Sequence, residues 1–176
     1  EYKLFAKLKK CEFNRPELRY VGFIVGRDGL KVDPEKVHAL IKFPKPQNPT
    51  GVKSFLGLAN QFRKFVCGFA AIAQPLTQLT RKSTTFRWGE REQAAFDHLK
   101  HAITTAPVLA LPDFSKLFVV KVDASGAGIG AVLVQDDRPL AYFSKKFNSA
   151  KANYSVGEQE LLALHDALLH WRCYLK

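Results

Sequence analysis

Two carboxylates in the last third of the chain are the residues best placed for chemistry. Leu117-Phe118-Val119-Val120-Lys121-Val122-Asp123 is short, apolar and β-branched, so it reads as a central strand that Asp123 ends. A carboxylate at the end of a buried strand is costly unless it is charge-paired or bound to a cation, which makes Asp123 a candidate ligand or catalytic group. Ser125-Gly126 follows directly, and a turn or capping role for Asp123 stays open beside that reading. The second carboxylate is Glu160. Glu158 stands three residues after Ser155 and suits a capping box, whereas Glu160, flanked by Leu161, Leu162, Ala163 and Leu164, sits beside the helix face that must pack on a sheet. Asp166 lies six residues beyond Glu160, about 600° of helical rotation, and is turned away from it.

Other candidate chemistry is weaker. Gly126, Gly128 and Gly130 imitate a dinucleotide loop, but a strand over Ile129–Val134 follows where that fingerprint demands a helix. His98 and His101 are three apart on a helix with no third ligand at hand, which makes them surface histidines. Cys11, Cys67 and Cys173 are odd in number and far apart, so neither a zinc site nor a disulfide framework follows, and a reducing intracellular setting is expected.

The elements that must position these groups can be read from periodicity. Leu18–Val25 is dense in strand formers and Gly26-Arg27-Asp28-Gly29 is a turn signal before Leu30-Lys31-Val32, which predicts a β-hairpin. Asp33-Pro34-Glu35 starts a helix carrying Val37, Leu40 and Ile41. Pro44, Pro46 and Pro49 forbid its continuation. Thr50 is expected to cap a second helix whose apolar stripe is Val52, Phe55, Leu56, Ala59, Phe62 and Val66, with Lys53, Arg63 and Lys64 off that stripe on a basic face. Ile72, Leu76 and Leu79 extend the bundle past a break at Pro75. Arg81-Lys82-Ser83-Thr84-Thr85 reads as a hinge. A meander of three strands, turned at Asp136-Asp137-Arg138-Pro139 into Leu140–Phe143, precedes the helix that begins at Ser155.

Composition bounds what such a chain does. At 176 residues with 47% hydrophobic and 12% aromatic content it can bury a core, and its net charge of +11 is spread along the sequence with the densest stretch before residue 83. A dispersed cationic excess suits a polyanionic partner such as nucleic acid. No stretch approaches the ~20 apolar residues of a membrane span. We expect a soluble, intracellular protein with no membrane partner, cytoplasmic and nuclear settings being indistinguishable. The chain begins at Glu1 and has no Met, so it is expected to be a fragment of a longer product.

Several of these segments together resemble the Pol polyprotein of gypsy-type long-terminal-repeat retrotransposons, over nearly the whole chain. Cys11-Glu12-Phe13 and Tyr20-Val21-Gly22-Phe23 resemble the segments that close the reverse-transcriptase palm, the second of them the primer grip. Ser54-Phe55-Leu56-Gly57-Leu58-Ala59-Asn60 with Phe62-Arg63-Lys64-Phe65 resembles the thumb helix that follows the minor groove of primer-template, where Gly57 permits close approach and Gln61 departs from the usual aromatic. Phe86-Arg87-Trp88 through Leu109 resembles the connection. Val122-Asp123-Ala124-Ser125 and Glu158-Gln159-Glu160-Leu161-Leu162-Ala163 resemble the first half of a ribonuclease H domain.

The resemblance implies a mixed α/β (α+β) fold: end of the palm over 1–33, a thumb-like bundle over 34–82, a connection over 83–114, and an incomplete ribonuclease H-like meander and helix over 115–176. It implies Asp123 and Glu160 as metal-ligand, catalytic carboxylates of a site holding two Mg²⁺, with two later carboxylates absent and no Tyr-x-Asp-Asp polymerase turn. It assigns nucleic-acid contacts to Tyr20, Gly22, Phe23, Lys53, Gly57, Asn60, Gln61, Arg63 and Lys64, among which Lys53, Arg63 and Lys64 are expected to outweigh Lys145, Lys146 and Lys151. The implied partners are RNA/DNA hybrid or primer-template and the rest of the polyprotein. Hybrid binding without catalysis by the isolated chain is the expectation. A host-retained, non-catalytic nucleic-acid-binding or interaction protein, or a decayed element with no role, are the alternatives.

Overall fold

The structure is a computed structural model that describes residues 5–125 and 128–176, so Gly126, and with it the Ser125-Gly126 turn, lies outside the described residues. The N-terminal strand former run does not make one strand. It folds back on itself at Val21-Gly22, giving β1 (Glu17–Tyr20), β2 (Phe23–Gly26) and β3 (Gly29–Val32) in one antiparallel sheet of that order. Both turn residues take positive φ, 48° at Val21 and 85° at Gly22. Gly22 does so freely, while the β-branched Val21 is strained. Strand propensity alone carries no sign of that reversal, so the predicted hairpin becomes a three-stranded sheet.

Asp33 starts α1 (Pro34–Ile41) as expected, its side chain accepting from the Glu35 amide at 3.0 Å with Pro34 at the first helical position. The second helix, α2 (Pro49–Asn60), begins earlier than the sequence suggests. Asn48, rather than Thr50, is the cap, accepting from the Gly51 amide at 2.8 Å, and Pro49 opens the helix instead of preceding it. It also ends earlier. Phe62 and Val66 are buried as the stripe demands, but a 3-10 turn over Arg63–Phe65 carries them, and Gly68 at φ 65° leads into α3 (Phe69–Ile72) and α4 (Gln74–Gln78).

One core joins these helices to α5 (Glu90–Thr104). Leu40, Val52, Phe55, Phe62, Leu76 and Leu99 are buried together, with Phe55 and Phe96 ring centroids 4.4 Å apart. The Lys100 ammonium donates to the carbonyls of Ile41 and Phe43, each at 2.8 Å, and so satisfies the end of α1. Residues 90–104 therefore pack as part of the helical core. His98 and His101 are exposed on α5.

The second sheet is the expected antiparallel meander: β4 (Val119–Ser125), β5 (Gly128–Gln135) and β6 (Arg138–Lys146), in that order, with Asp136 and Asp137 at φ 49° and 56° in the two-residue turn. β4 is an edge strand here, not a central one, and it runs two residues past Asp123. α6 (Val156–His170) packs chiefly over β4, with Ala167 and the following Trp171 clustered with Ala131 and Leu133 and Ala163 with Ile129 and Phe147, and α7 (Arg172–Leu175) follows it. The capping box at its start is complete: Glu158 accepts from the Ser155 amide at 2.8 Å and the Ser155 hydroxyl accepts from the Glu158 amide at 3.4 Å. The two sheets and the bundle touch at defined places. Leu30 and Leu109 exchange backbone hydrogen bonds, Arg138 donates to the Asp28 carbonyl at 2.7 Å, and the 3-10 turn and α3 lie against β6.

Candidate nucleic-acid interface and carboxylate site

Strand pairing fixes what surrounds Asp123. Paired residues of an antiparallel sheet share a face, so Lys121-Val132-Tyr142, Asp123-Gly130-Ser144 and Ser125-Gly128-Lys146 form three rows on one side of β4-β5-β6. Val120, Val122 and Ala124 alternate to the other side, where α6 packs. Asp123 is exposed, and it lines a cleft of about 420 Å³ roofed by Cys67, Gly68, Ala70, Ala71 and Gln74. This differs from the expected burial, because an edge strand with a glycine beside the carboxylate leaves it open to water.

Glu160 is also exposed and does not line that cleft. The roll of α6 is set by Asp166, whose carboxylate is only 11% exposed and accepts from Lys145 of β6 at 2.6 Å. Burial pushes the Asp166 carboxyl up, but the Lys145 ammonium, with Lys151 adding to it, outweighs that and holds it below the usual range. Six residues, or about 240° net, separate the two acids around the helix, which turns Glu160 to the flank away from Lys145. Asp166 is thus committed to an ion pair with Lys145, which helical rotation alone did not foretell. Among the described residues no three His, Cys, Asp or Glu side chains gather as a metal site. Two hard carboxylate donors suit Mg²⁺ chemically, but they do not fit a two-ion site by themselves.

The candidate nucleic-acid residues divide into two groups. Tyr20 is 65% exposed at the end of β1, and Lys53, Gly57, Asn60 and Gln61 are exposed on or just after α2. Gly57 has open space around it, so no backbone of this chain makes the close approach it permits. The others work inside the protein. Gly22 forms the turn, its carbonyl accepting from Asp33, and Phe23 stacks on Phe65 at 5.5 Å. Lys64 lies 4.5 Å from the Phe23 ring centroid, and Arg63 donates to the Ser144 carbonyl; burial lowers the pKa of both cations. The basic face drawn from helical periodicity loses Arg63 and Lys64, because α2 ends before them.

Grooves run past members of both groups. One, of about 400 Å³, runs past Gly57, Asn60, Arg63, Gln78, Arg81 and Lys146, and another, of about 520 Å³, holds Asn60, Gln61, Lys64, Lys145 and His170. Lys146, Ala70 and Gln74 belong both to the first groove and to the Asp123 cleft. Sequence reasoning did not single out Lys121, read Arg81 only as part of a hinge, and expected Lys146 to matter less than Lys53, Arg63 and Lys64. The Lys145-Lys146 pair was visible as a basic doublet, but only the register of β6 separates Lys146 on the cleft side from Lys145, which turns to α6.

A family model described as an RNase H-like domain found in reverse transcriptase matches residues 88–176. The chain is 41% identical over 173 residues to a retrovirus-related Pol polyprotein from transposon 297 of Drosophila melanogaster, covering 98% of this chain and 16% of that protein. A Tf2-3 transposon polyprotein of Schizosaccharomyces pombe is 34% identical over 178 residues, covering 98% of this chain and 13% of the relative. The chain thus spans under a fifth of the length of these relatives. Among solved structures, foamy viral protease-reverse transcriptase in complex with RNA/DNA hybrid matches with a TM-score of 0.82 at 25% identity, over 92% of this chain and 23% of that one. A dRH form of foamy viral protease-reverse transcriptase in complex with double-stranded DNA matches with a TM-score of 0.82 at 25% identity, over 91% of this chain and 29% of that one.

Proposed function

The chain belongs to the family of RNase H-like domains found in reverse transcriptases, and from that premise we propose that it is the segment of a retrotransposon Pol polyprotein that holds RNA/DNA hybrid or primer-template between its helical bundle and its Asp123-bearing sheet. The observation that carries this reading is the continuity of the Asp123 cleft with the groove of Gly57, Asn60, Arg81 and Lys146. A polyanionic strand laid along it meets cations at both ends. Foamy viral reverse transcriptase, of the same fold, was solved with hybrid bound, which supports the same partner here.

Asp123 and Glu160 are the carboxylates through which this segment contributes to divalent-metal chemistry in the family, and the remaining donors come from elsewhere in a working enzyme. Bound Mg²⁺ would supply activation of water and stabilisation of the leaving oxygen. Asp123 offers its oxygens in the cleft and Glu160 on the α6 flank. The polyprotein's other segments are the second partner of this reading.

Hybrid binding measured by fluorescence anisotropy at several salt concentrations tests the proposal. With a net charge of +11, affinity is expected to show little sequence preference and to fall steeply with salt, with a log–log slope of roughly −0.9 for each phosphate neutralised. Replacing Lys53, Arg81 and Lys146 by Gln together is expected to weaken binding by about tenfold or more while leaving the thermal midpoint in place, because these side chains project from the surface. Failure to bind hybrid at low salt would overturn the reading.

A further inference from the structure

Resting on that nucleic-acid reading, we propose that Ser83 is a phosphorylation site for a kinase that reads basic residues, and that its phosphate loosens a bound strand by taking Arg81 from the groove. Arg81-Lys82-Ser83-Thr84-Thr85, the run that reads as a hinge, joins α4 to the segment entering α5, and all five residues are exposed. Both ends of the run are anchored. Leu79 is 4% exposed in the helical core, and Phe86 and Trp88 pack against the same core. Between the anchors the Thr84 amide donates to the Arg81 carbonyl at 3.2 Å, a turn with Lys82 and Ser83 at its two central positions. Drawing this run out into a kinase groove gives up that one exposed hydrogen bond and no buried side chain.

Other hydroxyls are held by their own surroundings. Ser115 and Ser155 donate to Asp113 and Glu158, each at 2.7 Å, and Ser54, Thr104 and Thr105 donate to helix carbonyls. Ser83 stands at the tip of its turn with an unbranched side chain, which favours it over Thr84 and Thr85. Arg81 and Lys82 before it and the exposed Arg87 after it present cations to an acidic kinase surface, a charge pattern of the kind by which kinases choose substrates. In the transfer the Ser83 Oγ bonds to the γ-phosphorus of ATP, a nucleoside triphosphate. The bond from that phosphorus to the β,γ-bridging oxygen breaks, ADP leaves, and the hydroxyl proton passes to the kinase's catalytic carboxylate.

Arg81 lines the groove with Gly57, Asn60 and Lys146, whereas Ser83 does not, so the free hydroxyl takes no part in binding. Two residues span at most about 7 Å of extended chain, less than the Debye length of about 8 Å at physiological ionic strength. A phosphate at Ser83 carries roughly −1.5 to −2 charge and three acceptor oxygens, and a guanidinium pairs with it through two parallel hydrogen bonds. Arg81 so paired is lost to the nucleic acid, and the same phosphate repels those of the strand. The net charge falls from +11 to about +9, so the effect is local to the Arg81 end of the groove rather than a reversal of the chain's charge.

Two measurements on the full chain test this. In the first, the chain is incubated with ATP, Mg²⁺ and the catalytic domain of protein kinase C, and the phosphate is located by mass spectrometry. Ser83 is expected to carry it, and Ser83→Ala, with hybrid affinity unchanged, should stop its incorporation; phosphate on other residues with Ser83 bare overturns the site. In the second, phosphoserine is installed at position 83 during translation and binding of blunt RNA/DNA hybrid is followed by fluorescence anisotropy. The modified chain should bind about tenfold more weakly at about 0.1 M salt, with a salt slope shallower by roughly 0.9 and an unchanged thermal midpoint. In Arg81→Gln the phosphoserine should cost about twofold or less. Equal affinity with and without the phosphate overturns the loosening, and a full tenfold loss in Arg81→Gln overturns the part given to Arg81. A parent chain that takes phosphate at Ser83 but binds no hybrid sinks the hybrid reading and the loosening with it, leaving the modification site; hybrid binding with Ser83 unmodified sinks the site alone.

Discussion

Arg63, Lys64 and Lys145 show how little a residue's type says about the work it does. All three are cations that a sequence assigns to solvent or to phosphate, yet Arg63 is tied to Ser144, Lys64 lies over Phe23, and Lys145 neutralises Asp166. The Asp166 pair makes a prediction with a definite sign. Asp166 has a folded pKa held below its ordinary value, so it adds stability above the ordinary carboxylate range that is lost as pH falls through the folded value. In Lys145→Gln burial is opposed only by Lys151 and His165, and the folded pKa should move up toward the ordinary value or beyond. The variant is therefore expected to be less stable than the parent at pH 7, by about 1 kcal/mol because the lysine end is half in water. That gap should narrow on acidification toward pH 4. Paired thermal melts at the two pH values check this, and a gap that widens in acid would contradict it. None of this was legible at the residue level, because a cation's partner is set by distant contacts such as those joining residues 63 and 144.

At the scale of elements, local signals served well where the chemistry is local and failed where it is not. Asp33-Pro34 and Ser155 with Glu158 were read correctly as helix starts, since each cap involves only neighbours in sequence. The start of α2 was misplaced by reading prolines as stops only, although Pro at the first helical position after Asn48 is equally good grammar. The meander of β4–β6 was legible from two turn signals, but the edge position of β4 and the open face of Asp123 depend on which strands pair, and no periodicity records that. Asn48→Ala is accordingly expected to cost about 1 kcal/mol, and Thr50→Ala only a few tenths. Chemical denaturation of both variants decides between the caps, and a larger loss for Thr50→Ala would restore the sequence reading. Gly29 belongs here too. It sits at φ 132° with the Leu109 carbonyl where a Cβ would be, so Gly29→Ala should lose about 2 kcal/mol or more by breaking the Leu30–Leu109 bridge.

At the scale of the whole molecule, the described residues bury one apolar cluster among the helices and two under the second sheet, and the two tryptophans fall one to the helices and one to the sheet. Trp88 packs edge-on against Phe96 in the helical core, with its indole N–H donating to Gln93 at 2.9 Å, and Trp171 is 2% exposed under β5 and β6. Among the described residues the links include the Leu30–Leu109 bridge, Arg138 on the Asp28 carbonyl, the Ala110 amide on the Pro139 carbonyl, and the Arg63–Ser144–Ala70 contacts. These links hold the two walls of the proposed nucleic-acid path in register, so they should make the cores unfold together. Trp88→Phe and Trp171→Phe each leave one reporter, and in each variant the fluorescence transition in urea is expected to coincide with the far-ultraviolet circular dichroism transition. Adding Ser144→Ala, which removes the side-chain acceptor of Ala70 but keeps the carbonyl for Arg63, should shift both reporters equally and slightly. Adding Gly29→Ala with Ser144→Ala should separate the two fluorescence midpoints, because two of these links are then weakened at once. Midpoints that already differ in the single-tryptophan parents would show two independent units, and the groove between bundle and sheet would then have no fixed width with which to hold a duplex.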